Sequence, residues 1–158
     1  MTTLTRVYRF AASHRLHLKH LNEAENAALF GKCNNPFGHG HDYVLRVTVT
    51  GSVDKRTGLL ICTLDLDRLV EQHVLQTFAF RNLNTDVAQF AETVPTTENL
   101  AGAIANILKE NWSAMETNAR VVAVEIQETD RNRVEVSIPA GRAEPVLRLQ
   151  KESVTANA

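Results

Sequence analysis

The chain has 158 residues, a length that holds one domain with a sizeable core but not two of ordinary size. Lys and Arg number 17 against 18 Asp and Glu, a formal net charge of −1, so no long-range field attracts phosphate backbones or anionic lipid and nucleic acid is a poor candidate partner. Hydrophobic residues make up 44% and charged residues 22%, no apolar run nears the roughly 18 residues that span a bilayer, and Met1 to Phe10 lacks a signal-type apolar core. The expectation is a soluble protein with no membrane partner. Two cysteines, Cys33 and Cys62, are too few for a disulfide framework and point to the reducing cytoplasm.

In chain order the first element is a strand over Leu4 to Ser13, with Tyr8, Phe10 and Ala12 on one face and Val7, Arg9 and Ala11 on the other. A second strand, His41 to Thr50, alternates more clearly, with Tyr43, Leu45, Val47 and Val49 together. Turn chemistry over Gly51 to Gly58 and a renewed apolar run at Leu59 to Ile61 predict a hairpin between those two segments. Leu66, Leu69, Val70 and Val74 then recur at helical spacing, with Asp65 and Asp67 near the start to complement the helix dipole. A second helix enters at Pro95-Thr96-Thr97-Glu98 and repeats through Leu100, Ile104, Ile107, Leu108 and Trp112. Arg120 to Glu128 is a β-branched strand, paired across a turn at Asp130 to Asn132 with Arg133 to Ile138. The organisation is one domain over 1–140, with 141–158 a polar C-terminal extension expected to be partly disordered.

The histidines carry the chemistry. Gly38-His39-Gly40-His41 opens the second strand, and residues i and i+2 of a strand point the same way, so two imidazoles aim at one point. His14, at the end of the first strand and on the face of Tyr8, Phe10 and Ala12, offers a third. Three neutral imidazoles leave one tetrahedral position open, the arrangement of a catalytic zinc. A lone histidine is more often a turn or surface residue; the strand-borne pair and the third residue together raise the metal reading. Cys33 lies in the loop before His39, where a nearby cation would favour its thiolate as ligand, nucleophile or base; its alternative is a buried small hydrophobe. Glu128 closes an apolar strand and could accept two parallel N–H bonds from an aminopyrimidine edge, or be an exposed turn acid. Thr96, Thr97 and Glu98 could cap their helix or present hydroxyls and backbone N–H groups to a ligand.

Taken together, Ala12-Ser13-His14-Arg15-Leu16, Leu29-Phe30-Gly31-Lys32-Cys33-Asn34-Asn35-Pro36, Gly38-His39-Gly40-His41, Thr96-Thr97-Glu98-Asn99 and Glu128-Thr129-Asp130 resemble the 6-pyruvoyl-tetrahydropterin synthase family, in family order from Val7 to about Ile138. The resemblance implies an α+β tunnelling fold, an antiparallel four-stranded sheet with two helices on one face. Its trimers close a barrel and stack in pairs as a hexamer, so a homo-oligomer, trimer or dimer of trimers, is implied. It also implies Zn2+ held by His14, His39 and His41, Cys33 as the base that removes a substrate side-chain proton, and a pterin ring gripped by Glu128 with help from Thr96, Thr97 and Glu98. The implied reaction converts 7,8-dihydroneopterin triphosphate to 6-pyruvoyl-tetrahydropterin, eliminating triphosphate with internal hydrogen shifts.

One family element is missing. Where the family carries an Asp-His pair before Arg81-Asn82-Leu83-Asn84, this chain has Ala79-Phe80, and neither side chain can move a proton. Loss of such a group costs about 10² to 10⁴ in rate. His73 precedes the gap by about two helical turns, and His17 and His20 follow the His14 motif, so these are the remaining candidates for a relay. Competing readings are the 6-carboxytetrahydropterin synthase of queuosine and deazapurine biosynthesis, a side-chain-cleaving relative, and a non-catalytic pterin-binding paralogue.

Overall fold

The computed structural model describes residues 1–115 and 117–139, so the C-terminal extension 141–158 lies outside the described residues. Alternating side chains dictate the sheet: β1 (Thr2–His14), β2 (His39–Gly51), β3 (Arg120–Thr129) and β4 (Asn132–Ser137) pair antiparallel in the order β1-β2-β3-β4. On the inner face lie Phe10, Ala12 and His14 of β1 and Tyr43, Leu45, Val47 and Val49 of β2, all buried, while the intervening residues face outward. Phe10 stacks on Tyr43 with ring centroids 5.3 Å apart, fixing the pairing where the site begins.

Among the described residues the longest helices between the strands are α1 (Glu23–Phe30), α2 (Thr63–Val70) and α3 (Thr97–Asn111), with a further short turn of helix at Leu83–Asp86. The predicted stripes of α2 (Leu66, Leu69, Val70) and α3 (Leu100, Ile104, Leu108) bury against the inner face in one core. Thr96 caps α3, its hydroxyl accepting from the Asn99 N–H at 3.3 Å. Beyond Val70 the helix widens into a π turn over Glu71–Leu75 before Gln76–Phe78 ends it. Among the described residues no helix is long and apolar enough to cross a membrane.

The structure departs from the sequence pattern twice. Leu59 to Ile61 forms no strand and no hairpin with β2, because both edges of β2 are occupied by β1 and β3. Those residues instead close a turn through the Asp54 N–H donating to the Leu59 carbonyl (2.9 Å) and lead into α2, with only Ile61 buried. Conversely, α1 has no apolar stripe to announce it; its one buried residue is Asn26. A reciprocal capping box starts it, Asn22 accepting from the Glu25 N–H (2.9 Å) and Glu25 from the Asn22 N–H (2.8 Å). The Asn26 side chain then docks the helix by accepting from the Leu18 N–H and donating to the carbonyls of Leu18, Leu21 and Asn22.

A polar clamp joins β1 to α2. The Asp67 carboxylate accepts from the Arg6 guanidinium at both oxygens and from the Tyr8 hydroxyl at 2.8 Å. These bonds, Arg6 foremost, hold the Asp67 carboxyl below its ordinary range. A depressed carboxyl stabilises the fold above the unfolded value of about 3.9, and that contribution is lost as pH falls through the lower folded value. Both partners are partly solvated, so Asp67→Asn should lower the thermal midpoint by only about 1–3 °C at pH 7. Melting curves from pH 7 to pH 2 should show that difference shrinking below pH 4; a constant difference would place the effect in packing instead.

Candidate active site and metal centre

The β1–β2 register sets His14 opposite His39 and Ala12 opposite His41, so the three imidazoles converge on the inner face at one end of the sheet. Their ring centroids stand 4.7 to 5.1 Å apart, and one nitrogen from each lies within 4.8 Å of the others. The His14 and His39 Nε2 atoms are 3.2 Å apart. A tetrahedral zinc with nitrogens at 2.0–2.1 Å has ligand edges of about 3.3–3.4 Å, so this edge already has the right length. Gly38 permits the approach. Its φ of +68° is left-handed backbone, and a Cβ there would stand 2.9 Å from the His14 carbonyl oxygen.

The donor chemistry also fits a cation. His14, 1% exposed, has its Nδ1 2.7 Å from the Pro95 carbonyl oxygen. A carbonyl can only accept, so Nδ1 carries the proton and Nε2 presents its lone pair to the cluster. Burial, with the other imidazoles adding, holds His14 and His39 toward the neutral form that binds metals. His41 Nε2 is buried with no hydrogen-bond partner, the position a metal would satisfy.

Glu128 joins this cluster at the end of β3, beside a β-bulge. Gln127 pairs with Arg133 and Thr129 with Asn132, leaving Glu128 unpaired between them, and the alternation Val124, Ile126, Glu128 turns its side chain inward. Glu128 Oε1 lies 3.6 Å from His14 Nε2 and 3.7 Å from His41 Nε2, while Oε2 accepts from the Asn132 amide at 2.7 Å. Burial opposes its charge, but the bonds from Asn132 and Thr97 and the neighbouring His41 and His14 outweigh it and hold Glu128 below the ordinary carboxylate range. Cys33 sits half-buried in the 3₁₀ turn Gly31–Asn34, which is tied to the chain after β1 by the Leu16 N–H donating to the Cys33 carbonyl at 2.8 Å. Burial and the Glu128 carboxylate both push its thiol up.

Of the remaining candidates, Thr97 stands at the edge of the cluster and the others are dispersed. Thr97 is buried beside Asn132, Thr96 caps α3, and Glu98 is exposed, facing a hollow it shares with Gln89, Phe90 and Asn106. Phe80 is 88% exposed in left-handed backbone (φ +60°), its N–H donating to the Ala11 carbonyl at 2.7 Å. His73 lies in the π turn, His17 bonds Asn34 next to Cys33 (2.9 Å), and His20 borders a separate hollow with Lys19 and Glu92. The sequence pattern did not mark Pro95, Tyr43 or Asn132 as parts of the site. Tyr43 was legible only as core, yet its hydroxyl reaches to 3.5 Å from His14 Nδ1.

A four-stranded antiparallel sheet backed by helices, with three imidazoles and an inward carboxylate at one end, is the frame of a small-molecule enzyme family. The family model described as 6-pyruvoyl tetrahydropterin synthase matches residues 3–139. The chain is 43% identical over 125 residues to the 6-pyruvoyl tetrahydrobiopterin synthase of Homo sapiens, covering 79% of this chain and 83% of the relative. The corresponding guppy protein (Poecilia reticulata) is 41% identical over 131 residues, covering 83% and 86%. Among solved structures, the Caenorhabditis elegans 6-pyruvoyl tetrahydropterin synthase superposes with a TM-score of 0.79 at 39% identity, over 87% of this chain and 96% of that one. The chain belongs to the 6-pyruvoyl tetrahydropterin synthase family.

The isolated protein titrated with zinc should bind close to one equivalent. His39→Ala or His41→Ala should reduce affinity by at least 10-fold, read by competition with a chromophoric chelator; unaltered affinity in both would remove the cluster from metal binding.

Proposed function

We propose that this chain is a zinc-dependent lyase of tetrahydrobiopterin biosynthesis, acting on 7,8-dihydroneopterin triphosphate in the cytoplasm and releasing triphosphate as the side chain becomes a pyruvoyl group. The observation that carries this reading is the placement of Glu128 Oε1 within 3.7 Å of two of the three clustered histidines, which lets one ligand meet a carboxylate with its ring and imidazole-bound metal with its side chain. His14, His39 and His41 would hold the zinc, whose chemistry when bound is to polarise the side-chain oxygens as a Lewis acid. Glu128 accepts ring N–H groups, charge-assisted because its carboxyl is held ionised. Thr97 backs Glu128, while Thr96 and Glu98 contribute through the α3 N-terminus that they build. Cys33 is the proton acceptor. Burial and the Glu128 carboxylate push its thiol up, and a cation held by the neighbouring histidines would favour the thiolate.

Support for assembly comes from the sheet itself. Among the described residues the outer edge of β1 is engaged only near its C-terminal end, where the Phe80 N–H donates to the Ala11 carbonyl and the Ser13 N–H to the Arg81 carbonyl, and the rest of that edge suits pairing in a homo-oligomer, trimer or dimer of trimers.

Ala79-Phe80 favours a second reading, a pterin-binding paralogue without turnover, because no proton-transferring side chain occupies those positions. Mass spectrometry of products after incubation with 7,8-dihydroneopterin triphosphate separates the two. The lyase yields 6-pyruvoyl-tetrahydropterin and triphosphate; full zinc and tight binding with no product supports the paralogue. Phe80 sits at φ +60°, a region in which histidine is several-fold enriched, so the backbone already suits restoration of the pair. Ala79→Asp with Phe80→His should raise the rate by about 10²-fold or more. An unchanged rate would show that these positions do not limit catalysis.

A further inference from the structure

Asn132 begins β4, across the bulge from Glu128, and is exposed, yet both hydrogens of its amide have acceptors. One donates to Glu128 Oε2 at 2.7 Å and the other to the Thr97 hydroxyl oxygen at 3.3 Å. Three elements thus meet at one amide: the end of β3 through Glu128, the start of β4 through Asn132, and the first turn of α3 through Thr97, which is buried at 3% exposure. With Oε2 pinned, the plane of the carboxylate is fixed, and Oε1 is left directed at the histidine cluster.

The identity of the donor matters. Arginine or lysine at this position would orient Glu128 equally well but would also neutralise it, spending the charge that a ligand's N–H groups need. A neutral amide orients without neutralising, and each carboxylate oxygen keeps at least one lone pair for a ligand.

We propose that Asn132, itself held by Thr97, is a positioning residue that makes Glu128 a two-acceptor edge and so selects ligands presenting two adjacent N–H donors, an aminopyrimidinone edge, over ligands presenting a donor beside an acceptor. This rests on the reading of Glu128 as the ring-binding group. A ring carrying a carbonyl in place of its 2-amino group would set oxygen against the fixed carboxylate, leaving a buried acceptor pair unmatched.

The test uses the zinc-loaded full chain, with neopterin and the matching lumazine (carbonyl for 2-amino) as probes, binding read by fluorescence quenching. The unaltered chain should prefer neopterin strongly. Asn132→Ala should weaken neopterin binding roughly 10- to 100-fold and shrink the preference over the lumazine. The nearly isosteric Asn132→Asp should be worse than Asn132→Ala, because it sets a second carboxylate against Glu128; a merely structural role predicts the reverse order. Thr97→Val should weaken binding several-fold while Thr97→Ser retains it, which tests the same contact from a second side should an Asn132 variant fold poorly. Zinc content should be unchanged in all four. Loss of binding in Glu128→Ala together with unaltered affinity and preference in Asn132→Asp and Thr97→Val would overturn the positioning role alone. No neopterin binding by the unaltered chain would overturn the ring-binding reading, and this proposal with it.

Discussion

The antiparallel register that sets His14 across from His39 and Ala12 across from His41 is the constraint on which the site depends. A strand's side chains alternate with period two, so a slip of one residue would turn His14 to the solvent face while His39 and His41 stayed within, and no cluster would exist. What prevents the slip is apolar. Phe10 and Ala12 on β1 and the unbroken series Tyr43, Leu45, Val47 and Val49 on β2 are buried only in the observed pairing. The same hydrophobic pattern that closes the core therefore aims the imidazoles, and the geometry of the cluster is inherited from packing rather than built by dedicated local structure.

The legible part of the site was the part carried by period-two alternation. Residues i and i+2 on one strand must converge, so the His39/His41 pair could be derived from spacing alone, and His14 followed from its place on the face of Tyr8, Phe10 and Ala12. Glu128 was visible as the end of an apolar strand, but not the bulge that leaves it unpaired, since a bulge changes the count of partners and not the pattern of side chains. Pro95 reaches His14 through a backbone carbonyl from 81 residues away, and Asn132 reaches Glu128 only because the bulge folds the β3–β4 turn back on itself, so no local pattern signals either contact. The invisibility of α1 has a similar cause: Asn26 docks it with hydrogen bonds, so there is no apolar stripe to detect. The misplaced hairpin at Leu59 to Ile61 came from the opposite error, an apolar run treated as a strand when the edges of β2 were already taken.

Charge at the site is balanced by position rather than by number. At the inner end of the sheet burial holds His14 and His39 toward the neutral form, amide and hydroxyl donors hold the Glu128 carboxylate ionised, and burial, with that carboxylate adding, pushes the Cys33 thiol toward its protonated form. A carboxylate held ionised beside imidazoles held toward their neutral form is an environment that favours cations over anions.

His14 and His39 also stand at the two ends of the segment 15–38, which carries α1 and Cys33 between strands that are otherwise continuous with the core. Whatever ligates both imidazoles closes that segment at its base. The entropy of loop closure is then removed from the opening of the cysteine-bearing turn, and ligation and the order of the loop become linked quantities. Because α1 is docked by polar bonds with almost no buried apolar area, it has little stability of its own to resist such opening. The three-histidine cluster stands in this sense where a latch would: contacts made there bear on how firmly the segment carrying Cys33 is held in place.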